Sequence, residues 1–280
     1  MSAKKSIFGS PVWRAIRFVL LVYAGVVILM GLFQRMYIYY PSTEDPSRLE
    51  ELADRFGLSA WRSSEGEIIG WRGGVNGSGS RIVVFHGNAG HALHRDYYVD
   101  LFSGFEDSGP WEVFLFEYPG YGGRDGRPSE KVFVRAALEA VDEMLEEDGE
   151  RPLYLVGESL GSGVASHVIA SRGDEIDGAL FLAPFTGLAD VGSAHFPFLP
   201  VRLLLRDRYD NARHLSDYEG PVAILVAELD ETVPARFGHE LYESFEGRKG
   251  LWEIEGARHN TLWDHTATEV WEEIVSFLVE

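Results

Sequence analysis

Residues 153–163 read Leu153-Tyr154-Leu155-Val156-Gly157-Glu158-Ser159-Leu160-Gly161-Ser162-Gly163. The apolar run at 153–156 predicts a buried strand, and the helix-compatible run from Ser162 to Ser171 predicts a helix directly after it. Ser159 stands at the apex of the turn between them. Small residues two before and two after it let the chain reverse without a Cβ clash, which pushes the serine Oγ out where a substrate can reach it. A serine that merely caps the helix is the plainer alternative.

A serine hydroxyl is a poor nucleophile and needs a base within hydrogen-bond reach. His259, in Gly256-Ala257-Arg258-His259-Asn260, is placed for that work. It follows the last apolar run and precedes the last helical one, on a loop at a strand's carboxyl end. Its imidazole titrates near neutrality and can take and return the serine proton. His265 is the decoy, expected in the closing helix and pointing away. Asp230, in Glu228-Leu229-Asp230-Glu231-Thr232-Val233-Pro234, follows the apolar run at 222–226. It is the candidate acid that orients the imidazole and stabilises the imidazolium, with Glu228 and Glu231 as alternatives.

A tetrahedral oxyanion needs two backbone donors. The Leu160 amide, at the start of the helix after Ser159, is one candidate. The other is expected from His86-Gly87-Asn88-Ala89-Gly90, after the apolar run at 81–85, with the Asn88 amide favoured. His86 is read as a brace for that loop. His86, His91 and His94 do not match a helical metal pair in spacing, so no metal or cofactor is expected.

Around this centre strands alternate with helices. Apolar runs at 81–85, 113–116, 153–156, 179–182, 222–226 and 251–254 predict buried, mostly parallel strands. Ser129 is a plausible N-cap for a helix with Val134, Ala137, Leu138, Val141 and Leu145 on one face, and Val270, Trp271, Ile274 and Phe277 mark the core face of the closing helix. A helix is expected from about Ser47 to Phe56, and Trp61 to Gly73 reads as a strand pair at the sheet edge. Between Leu182 and Val222 a long apolar stretch interrupts the pattern and predicts a small cap, at about 186–218.

The amino terminus is different in kind. Lys4, Lys5, Arg14 and Arg17 precede the apolar run Phe18–Phe33, and no acid occurs before Glu44. Extended by Ala15 and Ile16, the run suffices to span a bilayer, with Arg17 and Arg35 snorkelling and Tyr37, Tyr39 and Tyr40 at the second interface. Gln34-Arg35-Met36-Tyr37 offers no small-residue cleavage site, so an uncleaved anchor is expected in place of a signal peptide. Residues 1–36 are read as cytoplasmic terminus and anchor, and 37–280 as one catalytic domain on the extracytoplasmic side.

The 280 residues carry a net charge of −19, 45% hydrophobic residues and no cysteine. The acidity disfavours nucleic acid as a partner. The missing cysteines exclude disulfides, thiolate nucleophiles and Cys-ligated zinc. Asn76-Gly77-Ser78 is a glycosylation sequon inside a Gly- and Ser-rich turn.

HGNAG after a strand, YPGYG (Tyr118 to Gly122), GESLGSG (Gly157 to Gly163), LDETVP (Leu229 to Pro234) and GARHN together resemble the α/β-hydrolase superfamily. More narrowly, the chain resembles its membrane-anchored branch, related to serine aminopeptidase-like and palmitoyl-protein thioesterase-like hydrolases. Residues 198–210 and the anchor fit that branch. The resemblance implies an eight-stranded, mainly parallel sheet with helices on both faces, a Ser159/Asp230/His259 triad, and oxyanion donors at Asn88 and Leu160. Two positions depart from the pattern. Arg258 stands where the family often has Gly and could crowd the site, and Thr261 stands where it often has an acid.

The function expected is a monomeric, membrane-tethered serine hydrolase acting on esters or thioesters of lipid-like or acylated substrates. An aminopeptidase with carboxylates of the cap (Asp190, Asp207, Asp210 or Asp217) around a substrate amine, an acyltransferase, and a non-catalytic binding protein are the alternatives. Arg202, Arg206 and Arg208 are candidates for an anionic head group, or for surface pairing with Asp207 and Asp210.

Overall fold

The computed structural model describes residues 11–75, 79–105 and 109–280. Lys4, Lys5 and the sequon at 76–78 lie outside the described residues. Eight strands form one sheet: β1 (Ser59–Arg62), β2 (Ile68–Gly74), β3 (Ser80–Phe85), β4 (Trp111–Phe116), β5 (Leu153–Glu158), β6 (Gly178–Leu182), β7 (Val222–Ala227) and β8 (Lys249–Ile254). Their order is β1-β2-β4-β3-β5-β6-β7-β8. The β1–β2 and β2–β4 pairs are antiparallel and every other pair is parallel. The chain thus starts at one edge, enters the middle at β3, and winds outward to β8.

Both faces of the sheet are covered, which explains why its central strands read as continuous apolar runs. Successive side chains of β3 go to opposite sides: Val83 and Phe85 join one core cluster, Ile82 and Val84 the other. The first cluster is closed by α4 (Glu130–Asp148), α5 (Leu160–Arg172) and α9 (Arg236–Ser244). The second is closed by α2 (Pro46–Arg55), α3 (Tyr97–Ser103) and α11 (Thr268–Val279). Ser129 caps α4, its side chain accepting from the Val132 amide. The core face of α4 is rotated from the expected one. Phe133, Ala136, Ala137, Ala140, Val141 and Met144 are buried, while Leu138 and Leu145 pack at the margin. Alanines at 136 and 140 let the helix approach the sheet closely, which a count of large apolar residues overlooks.

Between β6 and β7 lie three short helices, α6 (Leu188–His195), α7 (Val201–Leu204) and α8 (Asn211–His214). They occupy the expected insertion.

The amino-terminal helix α1 (Pro11–Ile38) has 28 residues and is apolar around most of its circumference. It is long and apolar enough to cross a membrane, with a mean hydropathy of 2.4 over its best window. Its last turns bind the insertion. The Gln34 amide donates to Leu204 O (3.1 Å) and accepts from the Arg206 amide (2.7 Å). Arg35 is not the lone interfacial arginine expected; it pairs with Asp207 at 2.8 Å. Tyr39 is no interfacial tyrosine either, being buried with its hydroxyl between Asp207 and Tyr209. The helix ends two residues later than the expected anchor, because Ile38 still packs on the core.

Candidate active site

Ser159 follows β5 directly and takes φ 48°, ψ −111°, a conformation a side chain rarely adopts. Such strain costs roughly 1–3 kcal/mol and persists only where the surroundings enforce it. Here they do: the Ser159 amide donates to Leu182 O on β6 (2.8 Å), and the Ser159 carbonyl accepts from the Ser162 amide (3.0 Å) and the Ser162 hydroxyl (2.6 Å). The flanking glycines leave no room for a side chain. A Cβ at Gly161 would collide with the Phe85 carbonyl, and one at Gly157 with the Ser162 backbone. Tyr209 packs on Gly163 in the same way. The turn is therefore sharp because α5 lies tight against the end of β3.

Asp230 sits beyond the end of β7 and is buried. Its Oδ1 accepts from the amides of Thr232 (2.8 Å) and Val233 (2.7 Å), leaving Oδ2 for His259 Nδ1 at 2.6 Å. The two competing acids are engaged elsewhere. Glu228 accepts from the Gly256 amide (2.8 Å), bracing the histidine loop, and Glu231 pairs with Arg258 at the surface (3.3 Å). Arg258 is thereby turned outward and lines neither cavity at Ser159. Thr261 has a role in place of the family's acid: its hydroxyl accepts from the Arg258 amide (3.0 Å) and tightens the turn that carries His259. His265 lies in a separate four-residue helix, α10 (Leu262–His265), exposed and bonded to Thr261 O. The expectation that it belonged to the closing helix is corrected, and its distance from the chemistry is not.

Two cavities meet at Ser159. One, of about 240 Å³, is walled by apolar residues of α1, α6 and α7, together with Asn88 and Leu160. The other, of about 280 Å³, is mixed, with Asn88, Arg95, Glu158, His259 and Asn260 set beside Leu182, Leu262 and Trp263. Ser159 and Asn88 border both. Among the described residues, neither the Leu160 nor the Asn88 amide has an acceptor. Leu160 opens α5, whose first amides have no partner within the helix. The loop carrying Asn88 is held from behind. Its side chain donates to Ile38 O (2.9 Å), and its carbonyl accepts from the Tyr40 amide (2.9 Å) and the Tyr121 hydroxyl (2.7 Å). His86 braces the loop as expected, buried, with Nδ1 against Gly87 O (2.7 Å) and its ring on Tyr118. His91 and His94 stack on one another, and burial, then His94, pushes the His91 imidazole down to about 4.

One group the sequence reading missed stands beside the serine. Glu158 accepts from Arg95 Nε (2.8 Å) and from the Tyr97 and Tyr98 hydroxyls (both 2.9 Å). Burial pushes its carboxyl up, but the Arg95 charge and these three hydrogen bonds outweigh it and hold the group below the ordinary range. The only hint in the sequence is the run Arg95-Asp96-Tyr97-Tyr98, whose partner lies 60 positions away.

A family model described as serine aminopeptidase, S33, matches residues 78–206. An uncharacterized protein of Mycobacterium tuberculosis, Rv2307c, is 34% identical over 249 residues, 86% of each chain. The chain belongs to the α/β-hydrolase superfamily. Within that superfamily it is a hydrolase. The lysophosphatidylserine lipase ABHD12 of Danio rerio is 30% identical over 209 residues, 68% of this chain and 54% of that protein. The α/β-hydrolase described here thus spans about half the length of that lipase. Solved α/β-hydrolases share the fold: Est1E of Butyrivibrio proteoclasticus (TM-score 0.60, 17% identity, 79% of this chain and 97% of that one) and the Paleococcus ferrophilus monoacylglycerol lipase (TM-score 0.54, 23% identity, 75% and 98%).

Proposed function

We propose that this protein is a membrane-anchored serine hydrolase that cleaves the ester of an acylated, lipid-like substrate through an acyl-enzyme. The observation that carries the reading is the His259–Asp230 bond at 2.6 Å, made by a histidine that borders the same cavity as a strained serine. With Nδ1 occupied, His259 offers Nε2 to the substrate side.

In the reaction Ser159 Oγ attacks the acyl carbonyl carbon while His259 takes its proton. The oxyanion accepts from the Leu160 and Asn88 amides. The carbon–oxygen bond then breaks and His259 gives the proton to the leaving alcohol. Water attacks the acyl-enzyme, His259 takes its proton, and Ser159 recovers that proton as the acid leaves. A thioester would follow the same steps with a thiol as leaving group.

Several features support a lipid-like substrate. An apolar cavity and a mixed one that contains charged and amide side chains flank Ser159, matching an acyl chain and a head group. The relatives named above include lipases. An aminopeptidase is less well supported. Asp190 is taken by Arg202 and Thr186, Asp207 by Arg35 and Tyr39, and Asp210 caps α8. Among the described residues lining the two cavities, Glu158 is the one acid, and Arg95 neutralises it.

In this reading α1 is the anchor, extended to Ile38 from the 1–36 division, and the remaining chain is one catalytic domain with its cap. The basic residues before the apolar run keep the amino terminus cytoplasmic and place the domain on the other side. Both cavities are complete within one chain, so a monomer suffices.

The test is Ser159→Ala against a short p-nitrophenyl ester. Turnover should fall at least ~10³-fold with the fold retained, and a fluorophosphonate should label Ser159 alone. Undiminished turnover by that variant would end the reading.

A further inference from the structure

The apolar cavity at Ser159 is not a product of the hydrolase domain alone. Met30, Gly31, Gln34 and Ile38 of α1 form part of its wall, facing α6 and α7. The turn joining α6 to α7 runs alongside α1 well up its apolar length. Tyr23 donates its hydroxyl to Phe198 O at 2.8 Å. Tyr23 lies roughly 22 Å along the helix axis from Ile38, at 1.5 Å per residue. Two large apolar side chains here have no cover: Phe198 in the turn and Leu203 in α7 are each 85% exposed. Exposed apolar groups at the level of a bilayer-length apolar helix fit hydrocarbon and not water.

We propose that the α6–α7 turn dips into the bilayer that α1 crosses, and that the two together form the acyl-binding site. The acyl chain of a bilayer-resident lipid ester enters sideways between them and lies against α1. Its carbonyl reaches Ser159, and its head group occupies the mixed cavity beside His259. The chain then passes from hydrocarbon to hydrocarbon, so its methylenes never cross water. The anchor is thereby a substrate-binding element as well as a tether. The same helix end is bonded to the Asn88 loop at Ile38 O, which fixes the cavity wall relative to the reacting carbonyl. This proposal rests on the ester-hydrolase reading above and adds to it the source of the substrate and the residues that select its chain.

The experiment uses the full chain in phosphatidylcholine vesicles. Gly31 faces the cavity and has room: a Cβ there would meet only Leu204 Cδ2, at 3.7 Å. Gly31→Phe should lower the ratio of kcat/KM for a C16 ester to that for a C4 ester at least tenfold, chiefly through KM. An unchanged ratio overturns the proposal. Because that variant could misplace α1, a second measurement leaves the protein unaltered. A long-chain alkyl fluorophosphonate with a diazirine near the far end of its chain is bound and then irradiated. Cross-links in the peptides spanning 23–38 or 196–205 are expected, and cross-links confined to other segments overturn the proposal. Failure to form any adduct before irradiation instead removes the serine reading, and this proposal with it.

Discussion

Arg35, in the last turns of α1, donates two hydrogen bonds to Asp207 of the insertion, at 2.8 and 3.0 Å. The Asp207 side chain is only 4% exposed, and the Tyr39 hydroxyl is its other partner (3.1 Å). The amino-terminal helix and the insertion are thus joined by a charge pair whose acid is almost wholly buried. Arg35→Leu should destabilise the folded chain by about 2 kcal/mol, less than a fully buried pair would lose because the arginine is itself half exposed. Urea unfolding in detergent checks this, and the double variant Arg35→Leu with Asp207→Leu should recover part of the loss. A single variant as stable as the parent would show that the pair contributes nothing.

Asp230 meets His259 Nδ1 with one oxygen while two backbone amides hold the other. Asp230→Asn keeps the size and most of those contacts but removes the charge facing the imidazole. Ester turnover should fall by ~10³–10⁴-fold with little change in KM. Circular dichroism should match the parent.

Gly161 has no room for even one methyl group, since its Cβ would overlap the Phe85 carbonyl. Backbone cannot yield as a flexible side chain does. Gly161→Ala should cost about 1–3 kcal/mol and displace Ser159 with α5. A thermal-shift measurement paired with ester turnover would register both effects.

Glu158 is an acid whose folded-state pKa is depressed, so its stabilising contribution is present above the ordinary carboxylate range and is lost as pH falls through its lower folded value. Arg95→Leu reverses the sign. Without the guanidinium, burial dominates and raises the same carboxyl, so this variant should gain stability relative to the parent as pH falls from 7 towards 5. At neutral pH the loss should be about 3–5 kcal/mol, the cost of an unpaired buried charge. Glu158→Gln in the same background should return most of it. Unfolding curves at the two pH values decide the matter, and parallel pH trends in parent and variant would contradict the assignment.

Much of this architecture was legible because each signal was local. The strand at 153–158 and the helix from Leu160 follow from apolar patterning, and the serine turn follows from glycines whose absent side chains the packing requires. Asp230 and His259 could be picked out by their loops, each just past a strand that parallel winding must end on the same side of the sheet. The α4 face was misjudged by one strip, because alanine packing close to a sheet looks neutral in a tally of large apolar residues.

What the sequence determined by itself was the order of strands and helices, the tight serine turn, and an apolar helix ahead of them. Periodicity and steric exclusion act between near neighbours, and both are written in consecutive residues. Only the tertiary structure decided what meets across long separations. Arg35 lies against Asp207, Glu158 is shared by Arg95 and two tyrosines, and the last turns of α1 wall the cavity at Ser159. Buried polar groups must find partners wherever packing brings them, and no spacing rule within the chain records where that will be.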